Sequence, residues 1–236
     1  ASSTVSASFS STHQGINLAS ATFMAKQTDI NEKMRAILID WLVEVHLKFK
    51  LMPETLYLTI NLIDRFLEKE QIMRNKLQLV GVTAMFIASK YEEIYAPECR
   101  DFVYISDKAY TRDEILRMEG QMLAKLNFQL TTPNAFVFVK RFCKVAGIAN
   151  TPRSTTELLA NYLVELTLQE YKMLKYLPST ICASAVYLAL KTKGKEPWVR
   201  RQPAPPQAPH APRAAAPRRR AAPPTRHAAA PPPADA

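Results

Sequence analysis

Four histidines and three cysteines are the residues of this chain best suited to metal binding or nucleophilic chemistry, and their placement argues against both. His13, His46, His210 and His227 are scattered, and none stands four residues from a second metal-ligand type, as a shared helix face requires. Cys99, Cys143 and Cys182 are widely spaced, fit no zinc pattern and are odd in number, so reduced structural thiols are expected. The five glycines form neither GxGxxG nor GxxxxGK, which removes the known phosphate-cradling loops. The adjacent acids Glu92 and Glu93 invite an acid–base reading, but neighbours on a helix point about 100° apart. A solvated helix end explains them better. No catalytic set, cofactor or metal is expected.

The elements that would have to position any chemistry are helical throughout. Apolar residues recur at spacings of three and four, with breaks at Pro53, Asn75, Pro97, Pro133, Pro152 and Pro178, and no segment alternates as a strand does. The spacing predicts helices over about 31–48, 54–69, 75–93, 111–127, 134–146, 155–171 and 179–192, with a short turn near 98–103. The length of 236 residues, 47% of them apolar, is enough to bury a sizeable core. The longest uncharged apolar stretch, residues 79–89, falls far short of the roughly 20 residues a membrane span needs, and no signal peptide opens the chain. A soluble, intracellular protein is expected, with no membrane partner.

Net charge of +10 points toward nucleic acid only until its distribution is read. Residues 199–236 carry seven arginines and one acid, so the preceding residues hold only +4, in interspersed charges of both signs. The same segment contains eleven of the 17 prolines and is expected to form a disordered Pro/Ala/Arg-rich tail. At the other end, residues 1–12 include eight Ser or Thr, and residues 1–22 are expected to be disordered. Nucleic acid is therefore disfavoured as a partner.

A shift of 101 positions superposes several helices without gaps. Thr55, Leu58, Leu62 and Asp64 fall on Thr156, Leu159, Leu163 and Glu165, while Thr83, Phe86, Ile87 and Lys90 fall on Ser184, Tyr187, Leu188 and Lys191. Two tandem helical folds are the reading. The predicted helix at 111–127 should then recur at 212–228, which reads PRAAAPRRRAAPPTRHA, and four prolines at about 3 kcal/mol each in a helix interior exclude it. The second repeat is therefore expected to be unfinished.

The helix beginning MRAILIDWLVEVHLKF has two apolar faces. Met34, Ile37, Leu38, Trp41 and Val45 share one side; Ala36, Ile39, Val43 and Leu47 lie opposite, with Asp40 and Glu44 on one seam and Arg35 and His46 on the other. A second apolar face means either burial on both sides or a docking patch, and periodicity alone favours burial.

At this helix the sequence resembles a known family. QTDINEKMRAILIDWLVEVHLKF is similar to the opening of the cyclin box, KLQLVGVTAMFIASKYEEIYAPE continues it, and YISDKAYTRDEILRME completes the first repeat. LIDWLVEVHLKF and VGVTAMFIASKYEE resemble the B, or G2/mitotic, type. The resemblance covers residues 23–198 and implies an all-α fold of two tandem cyclin boxes: an N-terminal box over 23–130 and a partial C-terminal fold over 131–198.

It also implies roles. Arg35 and Asp64 match a buried structural pair, and Leu79 a core position. Lys90 and Glu119 match polar residues that hold a cyclin-dependent protein kinase, aided by Tyr91, Leu123, Phe128 and Leu130. Met34, Ile37, Leu38, Trp41, Leu77 and Gln78 match a groove for Arg-x-Leu peptides of substrates or inhibitors, with Glu44 receiving the basic residue. This reverses the burial reading of the first face and leaves the second face as the core. The implied function is a non-enzymatic regulatory subunit that activates the kinase at G2/M, in the nucleus and cytoplasm; the short basic run at residues 218–220 fits either nuclear entry or plain solubilising sequence. Gly120 inside a helix and Ala96 in place of a common proline depart from the pattern, and residues 1–22 contain no Arg and no destruction box. The alternatives are a cyclin-fold transcription factor gripping nucleic acid with its basic tail, and a truncated, non-activating cyclin.

Overall fold

Local signals in the sequence set most helix ends. The computed structural model of the chain describes residues 17–148 and 154–195, and the readings made for residues 1–16, 149–153 and 196–236 lie outside them. Among the described residues regular structure is helical: α1 (Glu32–Phe49), α2 (Pro53–Lys69), α3 (Arg74–Glu92), α4 (Cys99–Ile105), α5 (Arg112–Lys125), α6 (Ala135–Val145), α7 (Thr155–Leu166) and α8 (Pro178–Thr192). Asn31 caps α1 by accepting from the Met34 amide, and Thr111 with Glu114 forms a reciprocal capping box on α5. Pro53 and Pro178 open α2 and α8, where a missing N–H costs nothing.

Two caps come from distant residues. Met52 offers α2 no side-chain cap, but the Glu93 carboxylate accepts from the Met52 amide at 2.7 Å and from the Thr55 hydroxyl. Asp29 does the same for α3, accepting from the Arg74 amide at 2.7 Å. Glu93 is thus more than the solvated helix end its sequence position predicts.

α3 runs through the centre of the first fold with α1, α2, α4 and α5 packed around it, so every residue from 79 to 89 is buried. Leu79 is among them, as the resemblance implies. Around α8 the second fold builds a smaller core from Val139, Cys143, Ala160, Val164, Cys182 and Val186, into which Tyr57 of α2 reaches to stack on Phe136 at 6.1 Å. Burial pushes the Cys143 thiol up to about 11 and the Cys182 thiol up to about 12, so both stay protonated and inert. The cysteines are free thiols, as expected. The repeat is visible in space: α6, α7 and α8 follow α1, α2 and α3 in order and in packing.

The structure corrects three readings. Residues 17–22 belong to the fold rather than to a disordered tail, because Asn61 donates to the Asn17 carbonyl at 3.0 Å, Asn17 donates to that of Thr131 at 3.2 Å, and Ala19 is buried. α7 ends at Leu166 rather than 171, and a separate 3-10 turn follows at Tyr171–Lys175; the Leu168 and Gln169 carbonyls turn to the Arg35 guanidinium instead of to the next helical turn. In α1 the seam carrying Arg35 and His46 is itself buried, while the supposed core face is buried only at Ile39 and leaves Leu47 66% exposed. Polar residues can occupy that seam because each has a partner: Asp64 for Arg35, and the Met52 carbonyl for the His46 ring at 3.2 Å.

Gly120 lies exposed inside α5, and a Cβ there would meet nothing within 4 Å. Gly120→Ala is therefore expected to raise stability by about 1 kcal/mol, read as a higher urea midpoint with unchanged m-value.

Candidate functional site

The predicted structural pair is present and reaches further than the first fold. Arg35 grips Asp64 bidentately, Nε to Oδ1 at 2.6 Å and Nη2 to Oδ2 at 2.7 Å, both residues being buried. Its remaining Nη1 donates to the Leu168 carbonyl at 3.1 Å, in the segment that joins α7 to α8 of the second fold. Tyr171 lies under the guanidinium, 5.9 Å from ring centroid to Cζ, and its hydroxyl accepts from the Met24 amide at 3.0 Å. Gln169 adds a bond to Asp40 of α1 at 2.7 Å. One arginine thus ties α1, α2 and the second fold together.

A second surface forms where the last turn of α3 meets the middle of α5. Lys90, in the last turn of α3, pairs with Glu119 of α5, and its ammonium rests 4.2 Å from the Phe86 ring centroid. Tyr91 is exposed and hydrogen-bonds the Thr131 hydroxyl, which places it against the segment following α5. In that segment Phe128 is 70% exposed and held at φ +55°, while Leu130 is half-buried against the core, as is Leu123. Arg65, buried on α2, donates to the Gln129 carbonyl at 2.8 Å and fixes the segment from behind. All six residues predicted for this surface are therefore brought to one side of the first fold.

Two residues were missed there. Ile94 and Tyr95, in the turn after α3, are 86% and 92% exposed. Isolated exposed apolar residues are ordinary; on the first fold four large ones, Tyr91, Ile94, Tyr95 and Phe128, remain exposed. The signal in the sequence was an Ile-Tyr pair in a loop bounded by Glu93 and Pro97, where nothing local can bury it.

The second predicted site is a groove between α1 and α3. Met34, Ile37, Leu38, Trp41, Leu77 and Gln78 line it as expected, with Leu38 and Leu77 buried as its floor and Ile37 standing out. Arg74 joins the lining, which the sequence reading did not anticipate. Asp29 holds it with a 2.6 Å ion pair, and the guanidinium draws the Asp29 carboxyl below the usual carboxylate range. Glu44 is exposed one turn beyond Trp41 and is not part of the groove wall.

Gly81 lets α1 approach α3 here, since a Cβ would come 2.7 Å from Leu38 Cδ1. Leu38, part of the groove floor, would have to shift to make room. Gly81→Ala is expected to cost about 1 kcal/mol, the low end for overpacking, and to push Leu38 into the groove; urea unfolding and the Leu38 methyl resonances read the two effects.

Known proteins resemble this chain over the same region. The cyclin N-terminal domain profile matches residues 6–131, and the cyclin C-terminal domain profile matches residues 133–203. The chain belongs to the cyclin family. It is 54% identical over 180 residues to G2/mitotic-specific cyclin-1 of Medicago sativa subsp. varia, covering 76% of this chain and 41% of that one. It is 55% identical over 177 residues to Cyclin-B2-3 of Arabidopsis thaliana, covering 75% and 40% respectively. The chain thus spans about two fifths of the length of these curated relatives. A solved viral cyclin from herpesvirus saimiri shares the fold with a TM-score of 0.67 at 22% identity, covering 75% of this chain and 78% of that one. Within this family frame the first cyclin fold shows five α-helices and the second three among the described residues. Also among those residues, no group of His, Cys, Asp and Glu could hold a metal, and no helix is long and apolar enough to cross a membrane.

Proposed function

We propose that this chain is a non-catalytic regulatory subunit that binds and activates a cyclin-dependent Ser/Thr protein kinase at G2/M, in the nucleus and cytoplasm. The observation that carries the proposal is the exposed aromatic surface around the Lys90–Glu119 pair, rigidly backed by α3, α5 and Arg65. The names of the relatives, G2/mitotic-specific cyclin-1 and Cyclin-B2-3, support the stage and type. Lys90 and Glu119 supply directional polar contacts, and Tyr91, Ile94, Tyr95 and Phe128 supply apolar area, the composition of a protein interface core with a polar rim. The mechanism is a population shift: the chain binds the active kinase conformation better and so enriches it. ATP, magnesium and phosphoryl transfer belong to the kinase. The groove at Trp41 would dock Arg-x-Leu segments of substrates or inhibitors, with Glu44 meeting the basic residue.

The test is to mix the purified chain with an inactive monomeric cell-cycle kinase and follow phosphorylation of a histone peptide. Activation is expected, and Lys90→Ala with Glu119→Ala should weaken it by about 30-fold in the concentration needed, the scale of a lost interface hot spot of ~2 kcal/mol. No stimulation by a chain shown to be folded would sink the activator reading for that kinase.

A further inference from the structure

Residues 126–134 connect α5 to α6 without a helix of their own, and a connecting segment is only as well placed as its hydrogen bonds make it. Two side chains one turn apart on α2 hold this one. Arg65 donates to the Gln129 carbonyl at 2.8 Å, and the same Nη1 donates to Asn61 Oδ1 at 3.3 Å. Asn61 in turn donates to the Asn17 carbonyl at 3.0 Å, and the Asn17 side chain donates to the Thr131 carbonyl at 3.2 Å. Residues 129 and 131 are thus both tied to α2, the second of them through Asn17. The Thr131 hydroxyl stands outside this bracket and shares a hydrogen bond with the Tyr91 hydroxyl, in the last turn of α3.

We propose that Thr131 is a positioning residue of the surface around Lys90 and Glu119: its hydroxyl holds the Tyr91 ring, before any partner arrives, in the orientation the partner receives. The inference rests on the kinase reading above and adds that the Tyr91 hydroxyl is spent inside the chain, so that the partner meets the ring. Tyr91 is 46% exposed, and packing within the chain does not by itself fix it. An unfixed aromatic side chain loses rotamer freedom when a partner covers it, and that loss is subtracted from the affinity. The bond contributes little to folding, because both hydroxyls are exposed and water replaces it in the unfolded chain. Its effect therefore falls on the orientation of the ring.

The test is a double-mutant cycle in the histone-peptide assay, with Thr131→Val, Tyr91→Phe and the two together. Each single variant is expected to raise the half-activating concentration of chain about fivefold, the effect of one hydrogen bond, with the saturated rate and the urea midpoint unchanged. The double variant should be no worse than either single one, because both remove the same bond. Thr131→Ser, which keeps the hydroxyl, should behave as the unaltered chain does. Additive losses, or a loss for Tyr91→Phe alone, would overturn the proposal by giving the Tyr91 hydroxyl to the partner. A loss in Thr131→Val that tracks a lowered urea midpoint would overturn it as well, and so would the absence of any effect from either substitution. The free chain supplies a second reading that needs no kinase. The χ1 coupling constants of Tyr91 should report one rotamer in the unaltered chain and averaged rotamers in Thr131→Val; averaging in both overturns the proposal. A single rotamer in a chain that activates no kinase would instead sink the kinase reading and leave Thr131 as the residue that orders the ring.

Discussion

Replacing Arg35 by alanine is expected to lower stability by about 3–5 kcal/mol, the loss found when one partner of a buried ion pair is removed. Asp64 would then be left buried without the guanidinium that bonds both of its oxygens. Set against the roughly 5–15 kcal/mol that holds a typical domain, this is enough to populate unfolded chain near physiological temperature. Urea unfolding measures it. Arg35→Met with Asp64→Leu should recover part of the loss, because an apolar pair of similar volume removes the stranded charge. It cannot recover the bond from Nη1 to the Leu168 carbonyl or the stacking on Tyr171. The residue left unrecovered measures the coupling between the two folds.

Arg35→Lys separates these roles differently, since lysine keeps a charge near Asp64 but cannot reach both the carboxylate and the carbonyl. Hydrogen-exchange protection is expected to fall more in α7 and α8 than in α2 and α3. A loss under 1 kcal/mol for Arg35→Ala, or equal loss of protection everywhere, would refute the role given to this arginine.

Phe128→Gly is expected to stabilise the chain while disabling it. Phe128 sits at φ +55° directly after Asn127 at φ +53°, in the left-handed region that costs a bulky L-residue about 1–2 kcal/mol. It is 70% exposed, so packing within the chain returns little of that cost. Glycine occupies the same backbone without strain, and the folded chain should gain about 1 kcal/mol in urea unfolding. On the kinase reading, the same change deletes an aromatic anchor, and an anchor of that size is worth about 2–4 kcal/mol at an interface. Half-activation of the kinase should therefore need at least about 30 times more chain. The opposite signs are the test: strain kept for function predicts a gain in stability with a loss of activation. A loss of both would make Phe128 a structural residue.

Much of the architecture was legible because it depends on local and periodic signals. Pro53 and Pro178 mark helix starts, Asn31 and Thr111 mark caps, and the 101-residue shift exposed the repeat before any contact was known. The candidate sites were legible through the cyclin-box motifs rather than through chemistry, since Lys90 and Glu119 by themselves read as ordinary surface charges. What stayed hidden were contacts between segments far apart in sequence. Arg74 lines the groove because Asp29, 45 residues earlier, holds it. Glu93 caps α2 from 38 residues beyond Thr55. No periodicity encodes either pairing.

From sequence alone, then, came the all-helical class and the two tandem folds. These follow from helix propensity, proline geometry and residue inventory, which act within a few turns of chain. Tertiary structure alone decided which stripe of α1 is buried, where α7 stops, and which apolar residues remain on the surface. Each of these turns on a partner supplied from elsewhere: Arg35 can be buried only because Asp64 meets it, and α7 ends where Arg35 takes the carbonyls of Leu168 and Gln169. A polar group enters the core only with its hydrogen bonds satisfied, and that satisfaction is a property of the assembled fold.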